Sequence, residues 1–268
     1  MKIGILETGT SPQALAAQYG SYADLFVRML GAADPGLRFE RYQVVDGVFP
    51  PAPDLCDGWI ITGSRHGVYE DLPWMRRLSD LILELVAQRR PLLGICFGHQ
   101  IIASALGGRV EKSARGWGLG VHQYQQVGPC KGLGGRGDTL VLNALHQDQV
   151  VEKPVTAEVF ASSDFCPYAA LRYGDSVISF QAHPEFTLDY TAALLEAVKG
   201  ERLPQAQADV ALSGLRAADA LNDSGRVARW LVEFFRRQGL MPADCTGSGA
   251  NATACAPRIS GINPRVNT

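Results

Sequence analysis

Leu92-Leu93-Gly94-Ile95-Cys96-Phe97-Gly98-His99-Gln100-Ile101-Ile102 reads as a short apolar strand that runs through a glycine-flanked cysteine into an amphipathic helix. The pattern Gly94-x-Cys96-x-Gly98 is the cysteine form of a nucleophile elbow, a strand-to-helix turn so sharp that its central residue is strained. Glycine two residues to either side is what such a turn needs, because a Cβ there would collide where the two backbones converge. The same geometry sets the sulfur over the first turn of the helix, where unpaired N–H groups and the helix dipole favour a thiolate. A buried structural cysteine is the usual fate of a free thiol. With 29 Gly and 6 Cys in 268 residues, however, chance supplies G-x-C-x-G only roughly 0.07 times per chain. Cys96 is the candidate nucleophile.

Outward from the elbow, residues 2–6, 38–45 and 59–62 read as strands and 21–30 as a helix. Residues 73–90 carry apolar side chains at 74, 78, 81, 82, 85 and 86, the spacing of a helix face. Short apolar strands separated by helices imply an α/β fold, a parallel sheet covered on both faces. The helix after the elbow is expected to end at Gly107-Gly108. Beyond Arg109 the pattern changes to short strands at 117–127, 139–142, 155–162, 169–173 and 177–181, with a glycine-rich turn at 128–138. A partly antiparallel section within the same fold is expected there. Residues 188–198 and 224–238 read as helices, and the Gly-, Ala-, Thr- and Asn-rich stretch 240–268 as disordered.

A formal net charge of −2 gives no electrostatic case for nucleic acid or an anionic membrane. An acid at Glu7 interrupts what would be a signal peptide's apolar core, and no run reaches membrane-spanning length, so a cytoplasmic protein is expected. The cysteines at 56, 96, 130, 166, 245 and 255 form no C-x-x-C pair and no ligand-like spacing with histidine. Neither a metal site nor a disulfide framework is expected, and no cofactor. No G-x-x-x-x-G-K-[ST] loop is present to bind ATP.

Ser176-Val177-Ile178-Ser179-Phe180-Gln181-Ala182-His183-Pro184-Glu185-Phe186 supplies what Cys96 lacks. In an extended segment residues i and i+2 project to one side, so His183 and Glu185 can stand together. A carboxylate beside an imidazole selects its tautomer and stabilises its charged form, the orienting role in a nucleophile–base–orienter triad.

The two motifs Gly-Ile-Cys-Phe-Gly-His-Gln at 94–100 and Gln-Ala-His-Pro-Glu at 181–185 together resemble those of the class I (triad) glutamine amidotransferases, in particular the free-standing, GMP-synthase-like branch. The resemblance covers about residues 1–200, read as the amidotransferase domain, with 201–239 as a helical extension. It implies a flavodoxin-like open, mostly parallel sheet and a cysteine hydrolase that cleaves a γ-glutamyl amide through a thioester and releases ammonia. Cys96 would be the nucleophile, His183 the proton carrier and Glu185 its orienter. Thr62-Gly63-Ser64 matches the family's Ser-Gly-Gly turn, so Gly63, Ser64 and Phe97 are implied as the oxyanion hole, with Ser64 standing where a second glycine is usual. Gln100, Gln147 and Asp148 are implied in substrate binding. The implied substrate is a small molecule, glutamine or a γ-glutamyl compound, and the ammonia would pass to a separate synthetase or acceptor subunit. The same branch resembles plant γ-glutamyl peptidases, so a glutathione-like γ-glutamyl peptide is the alternative substrate. A non-catalytic regulatory binding module would have lost Cys96, His183 or Glu185, and all three are present.

Overall fold

The structure is a computed structural model that describes residues 1–128, 132–134, 138–217 and 220–239. The stretch 240–268, Cys130, Cys245, Cys255 and most of the expected turn at 128–138 lie outside the described residues.

The parallel half comprises β1 (Lys2–Leu6), α1 (Gln13–Tyr19), α2 (Tyr22–Ala33), β2 (Arg38–Tyr42), β3 (Gly58–Ile61), α3 (Pro73–Ala87), β4 (Leu92–Ile95) and α4 (Phe97–Ala105). A β-rich stretch follows: β5 (Arg109–Lys112), β6 (Gly118–Gln126), β7 (Thr139–His146), β8 (Asp148–Glu152), β9 (Ala157–Ser162), β10 (Ala170–Tyr173) and β11 (Val177–Phe180). Three helices, α5 (Leu188–Val198), α6 (Gln205–Leu215) and α7 (Ser224–Gly239), complete the described chain.

The main sheet has the order β2-β1-β3-β4-β11-β10-β9-β6-β7. Strands β2 to β11 in that order pair in parallel, and the rest pair antiparallel as its continuation. Helices cover both faces, because successive strand residues alternate between two apolar clusters. Ile60, Leu93 and Ile178 face α2 and α7, whereas Trp59, Ile61, Leu92 and Val177 face α3 and α4. Gly4 sits opposite Trp59 in the sheet because a Cβ on it would lie 2.3 Å from the indole.

Some boundaries differ from the sequence reading. The strand expected at 38–45 stops at Tyr42, since Val44–Asp46 turn as a short 3-10 helix closed by Gly47 at φ 83°. The strand expected at 139–142 runs on to His146 because β7 pairs with β6 along its whole length. The short helix α1 and the two-stranded β5–β8 ribbon have no counterpart in the sequence reading. Local periodicity is weak in elements this short.

Two local features shape the site and the core. Ser21 Oγ accepts the Asp24 N–H while the Asp24 carboxylate accepts the Ser21 N–H, a capping box that starts α2 at Tyr22 and sets that residue in its first turn. Val227, Leu231 and Phe235, one stripe of α7, are fully buried, and Phe235 lies so close to Gly58 that a Cβ there would be 2.6 Å from its ring. The helix therefore covers the sheet beside α2 as part of the core. Among the described residues no helix is long and apolar enough to cross a membrane.

Candidate active site

Strand β4 ends at Ile95 and α4 begins at Phe97, so Cys96 alone makes the turn, with φ 53° and ψ −103°. A non-glycine residue held there stores roughly 1–3 kcal/mol of strain. The flanking glycines allow it: a Cβ on Gly94 would lie 2.6 Å from the Gly98 carbonyl oxygen, and one on Gly98 would lie 2.4 Å from that of Ile61. The elbow is pinned from the side by the Cys96 N–H, which donates to the Phe180 carbonyl at 2.8 Å.

That bond explains how a residue far along the chain reaches the sulfur. β11 is the parallel neighbour of β4, with Phe180 opposite Ile95, so the segment after Phe180 emerges beside Cys96. His183 comes next but two, and its N–H donates to the Asn143 carbonyl of β7 at 2.8 Å. Its ring stacks on Phe186 with centroids 3.9 Å apart. Nδ1 of His183 donates to Glu185 Oε1 at 2.7 Å, and both side chains are buried. Burial by itself would lower the imidazole pKa, but the Glu185 carboxylate and then the Cys96 sulfur hold it well above its usual value. Nε2 is buried without a partner at hydrogen-bond distance among the described residues and is the nitrogen left to meet the sulfur. An imidazole that retains its proton beside a cysteine is what attack on a carbonyl requires.

Cys96, His183 and Glu185 share the wall of one open cavity of about 290 Å³ with Gly63, Ser64 and Tyr22, and Leu145 and Phe186 close it. Gly63 and Ser64 thus stand across from the elbow. Phe97 opens α4, where its N–H has no intrahelical acceptor, while its ring turns away to pack on Trp74 at 5.4 Å.

The remaining sequence candidates are not among the residues that line the cavity. Gln100 gives one amide hydrogen to the Asp148 carbonyl at 2.9 Å and the other to Gln181 Oε1 at 3.1 Å, tying α4 to β8 and to the segment after β11. Gln147 and Asp148 do not line the cavity; the Gln147 carbonyl accepts the Ser113 N–H at 3.0 Å, and burial raises the Asp148 carboxyl pKa. Their stretch instead presents the Leu145 carbonyl, 4.0 Å from the Cys96 sulfur. Sequence reasoning missed Tyr22 and Phe186, whereas Leu145 heads the run 145–150 that the family resemblance implies in substrate binding through main-chain groups. The aromatic directly after His-Pro-Glu could have been found as a ring partner, whereas nothing local marks Tyr22. The motif's other histidine, His99, is wholly buried on Ser179, 2.8 Å from its hydroxyl, with its pKa pushed down to about 3 by burial. Among the described residues no His, Cys, Asp or Glu side chains are grouped to hold a metal ion.

The family model for class-I glutamine amidotransferases matches residues 52–197, which run from just before β3 to the last turn of α5. The chain belongs to that family. It is 32% identical over 209 residues to gamma-glutamyl peptidase 3 of Arabidopsis thaliana, a match covering 75% of this chain and 83% of that protein. A second relative, one subunit of the glutamine-hydrolyzing GMP synthase of Methanosphaera stadtmanae, is 39% identical over 122 residues, covering 42% of this chain and 61% of its own. Among solved structures, a glutamine amidotransferase of Thermotoga maritima superposes with a TM-score of 0.69 at 19% identity, over 90% of this chain and 99% of that one. The flavodoxin-like amidotransferase fold accordingly extends well beyond the matched region, to β1, α2 and β2 on one side.

Proposed function

We propose that this amidotransferase-family chain hydrolyses γ-glutamyl amides through a thioester on Cys96. The observation that carries the reading is the His183 ring, held by Glu185 through one nitrogen and open toward Cys96 through the other, inside a single cavity. The sulfur attacks the γ-carbonyl carbon, and the charge that develops on its oxygen is met by the N–H groups of Ser64 and Phe97. His183 passes its proton to the nitrogen as the C–N bond breaks, leaving a γ-glutamyl thioester and ammonia or an amine. The imidazole then takes a proton from water, which attacks the thioester carbon; the C–S bond breaks and glutamate departs. Glu185 keeps the ring in one tautomer throughout.

In substrate binding, the Leu145 carbonyl is available to an ammonium group, while Gln100 acts from outside the cavity by tying α4 to β8 and to the segment after β11. Gln147 and Asp148 act by shaping the strand end that presents Leu145. Glutamine is the first substrate considered, with a separate synthetase as recipient of the ammonia. The breadth of the match to the plant peptidase, against 42% of the chain for the GMP synthase relative, favours a second reading in which the leaving group is the amine of a γ-glutamyl peptide. A reducing cytoplasm suits either reading, because Cys96 is a free thiol.

The test is steady-state turnover of L-glutamine and of glutathione by the wild type and by Cys96→Ala. The wild type turns over at least one of them and the variant neither, while its melting temperature stays within a few degrees. Wild-type activity in the variant would remove Cys96 from the mechanism, and a preference above about tenfold for glutathione would select the second reading.

A further inference from the structure

The Gly63–Ser64 peptide faces the elbow across the cavity, and glycine at 63 spares His183, since a Cβ there would lie 3.0 Å from its Cε1 and press on the ring. Glycine brings a difficulty with it. Without a Cβ, nothing in residue 63 itself prevents the plane of the following peptide from turning over, which would aim a carbonyl oxygen at the site in place of an N–H.

Two buried hydroxyls lie against that plane. Thr8, just past the end of β1, donates its N–H to Thr62 Oγ1 at 3.0 Å, and its own Oγ1 lies 2.9 Å from the Thr62 carbonyl oxygen and 3.0 Å from that of Gly63. Thr62 Oγ1 lies 3.2 Å from the same Gly63 oxygen. Both threonines are fully buried. With one hydrogen on each hydroxyl and two carbonyls to satisfy, the set closes when Thr8 and Thr62 together cover the Thr62 and Gly63 oxygens. In a trans peptide the N–H points opposite to the carbonyl. Holding the Gly63 carbonyl toward Thr8 therefore turns the Ser64 N–H the other way, into the cavity. Gly9 leaves the room this orientation needs, since a Cβ built on it would lie 3.1 Å from the Gly63 oxygen.

We infer that Thr8 is a positioning residue: through Thr62 and the Gly63 carbonyl it locks the Ser64 N–H as an oxyanion donor. The inference rests on the proposed use of Ser64 in the reaction. It requires that removing the Thr8 hydroxyl leave the Thr62 carbonyl without its donor and the Gly63 carbonyl held only by the 3.2 Å contact from Thr62 Oγ1, so that the peptide samples both orientations. Steps that build an oxyanion slow; steps that only use the sulfur do not.

The test compares two reactions of Cys96 in the wild type, Thr8→Val and Thr8→Ser. Acylation by p-nitrophenyl acetate passes through a tetrahedral oxyanion, whereas alkylation by iodoacetamide does not, and neither reagent needs γ-glutamyl recognition. In Thr8→Val the acylation rate should fall about tenfold or more while alkylation stays within about twofold. Thr8→Ser should restore acylation. On whichever of glutamine or glutathione the wild type hydrolyses, kcat should fall with KM little changed. An unchanged ratio of the two rates in Thr8→Val, failure of Thr8→Ser to restore it, or no Cys96-dependent acylation in the wild type overturns the inference. If the wild type hydrolyses neither substrate but the ratio still falls, the positioning role stands and the γ-glutamyl reading fails.

Discussion

Gly63 and His183 are closely packed: a Cβ on residue 63 would stand 3.0 Å from Cε1 of the imidazole, so the ring would have to give way, and 3.7 Å from the Cβ of Cys96. The turn across from the elbow and the imidazole beside it are therefore one packing unit, although 120 positions separate them in the chain. Gly63→Ala is expected to push the ring by a few tenths of an ångström and lower kcat roughly 10- to 100-fold. The check is kcat together with the melting temperature, which should move by little, since the residue supports the site and not the core.

The Glu185–His183 pair sets the pH response. The folded pKa of His183 is raised above the ordinary 6.5, so its charged form survives above that value and is lost as pH climbs through the raised one. Stability contributed by the pair is accordingly complete below about 6.5 and declines on the alkaline side. Glu185→Gln removes the charge responsible. The alkaline limb of kcat/KM should shift toward lower pH, with kcat down on the order of 10²- to 10⁴-fold. A limb that stays where the wild type has it would mean that Glu185 does not support the charged ring.

His99 and His146 predict the opposite sign. Burial, chiefly, pushes both down to about 3, so each stays neutral in the fold and takes up a proton once unfolded. Their contribution is complete above about 6.5 and is lost as pH falls toward 3. Two protons gained on unfolding imply a slope of roughly 2–3 kcal/mol per pH unit below the ordinary imidazole range, to which His122, also lowered by burial, adds with the same sign. Urea unfolding between pH 6.5 and 5, before carboxylates contribute, measures it, and replacing His99 by Gln should lower the slope by roughly 1 kcal/mol per pH unit.

Phe235 tests whether α7 is part of the sheet's core. The ring is fully buried against Gly58, and α7 shares a cluster with Ile60, Leu93 and Ile178. Phe235→Ala should cost about 3–5 kcal/mol in denaturant unfolding. At temperatures where the variant is folded, kcat should be unchanged, because the described residues that line the cavity include none from α7. A loss below about 1 kcal/mol would make α7 an accessory helix.

The candidate site was partly legible before any fold was known. The elbow announces itself because a Cβ on Gly94 or Gly98, the glycines either side of Cys96, would come within 3 Å of backbone atoms. His183 and Glu185 are two residues apart, so their 2.7 Å contact needs only a local bend. Gln100 looks the same in sequence as a substrate-binding residue and as a structural one. What separates those roles is where its amide hydrogens go, and their acceptors, Asp148 and Gln181, come from distant segments. Tyr22 and Thr8 carried no signal at all, since a tyrosine in a first helical turn and a threonine after a strand are ordinary occupants of such places.

Residue chemistry read along the chain was enough to find the alternation of strands and helices, the strained cysteine and the histidine–glutamate couple. Each of these depends on interactions among neighbours within a few positions, and such interactions leave a periodic or steric imprint on composition. The meeting of Cys96 with His183 followed from β11 inserting beside β4, and the aim of the Ser64 N–H followed from Thr8 reaching across to Thr62. Contacts of that kind are chosen by which strands lie side by side, a choice made by burying the whole apolar surface at once.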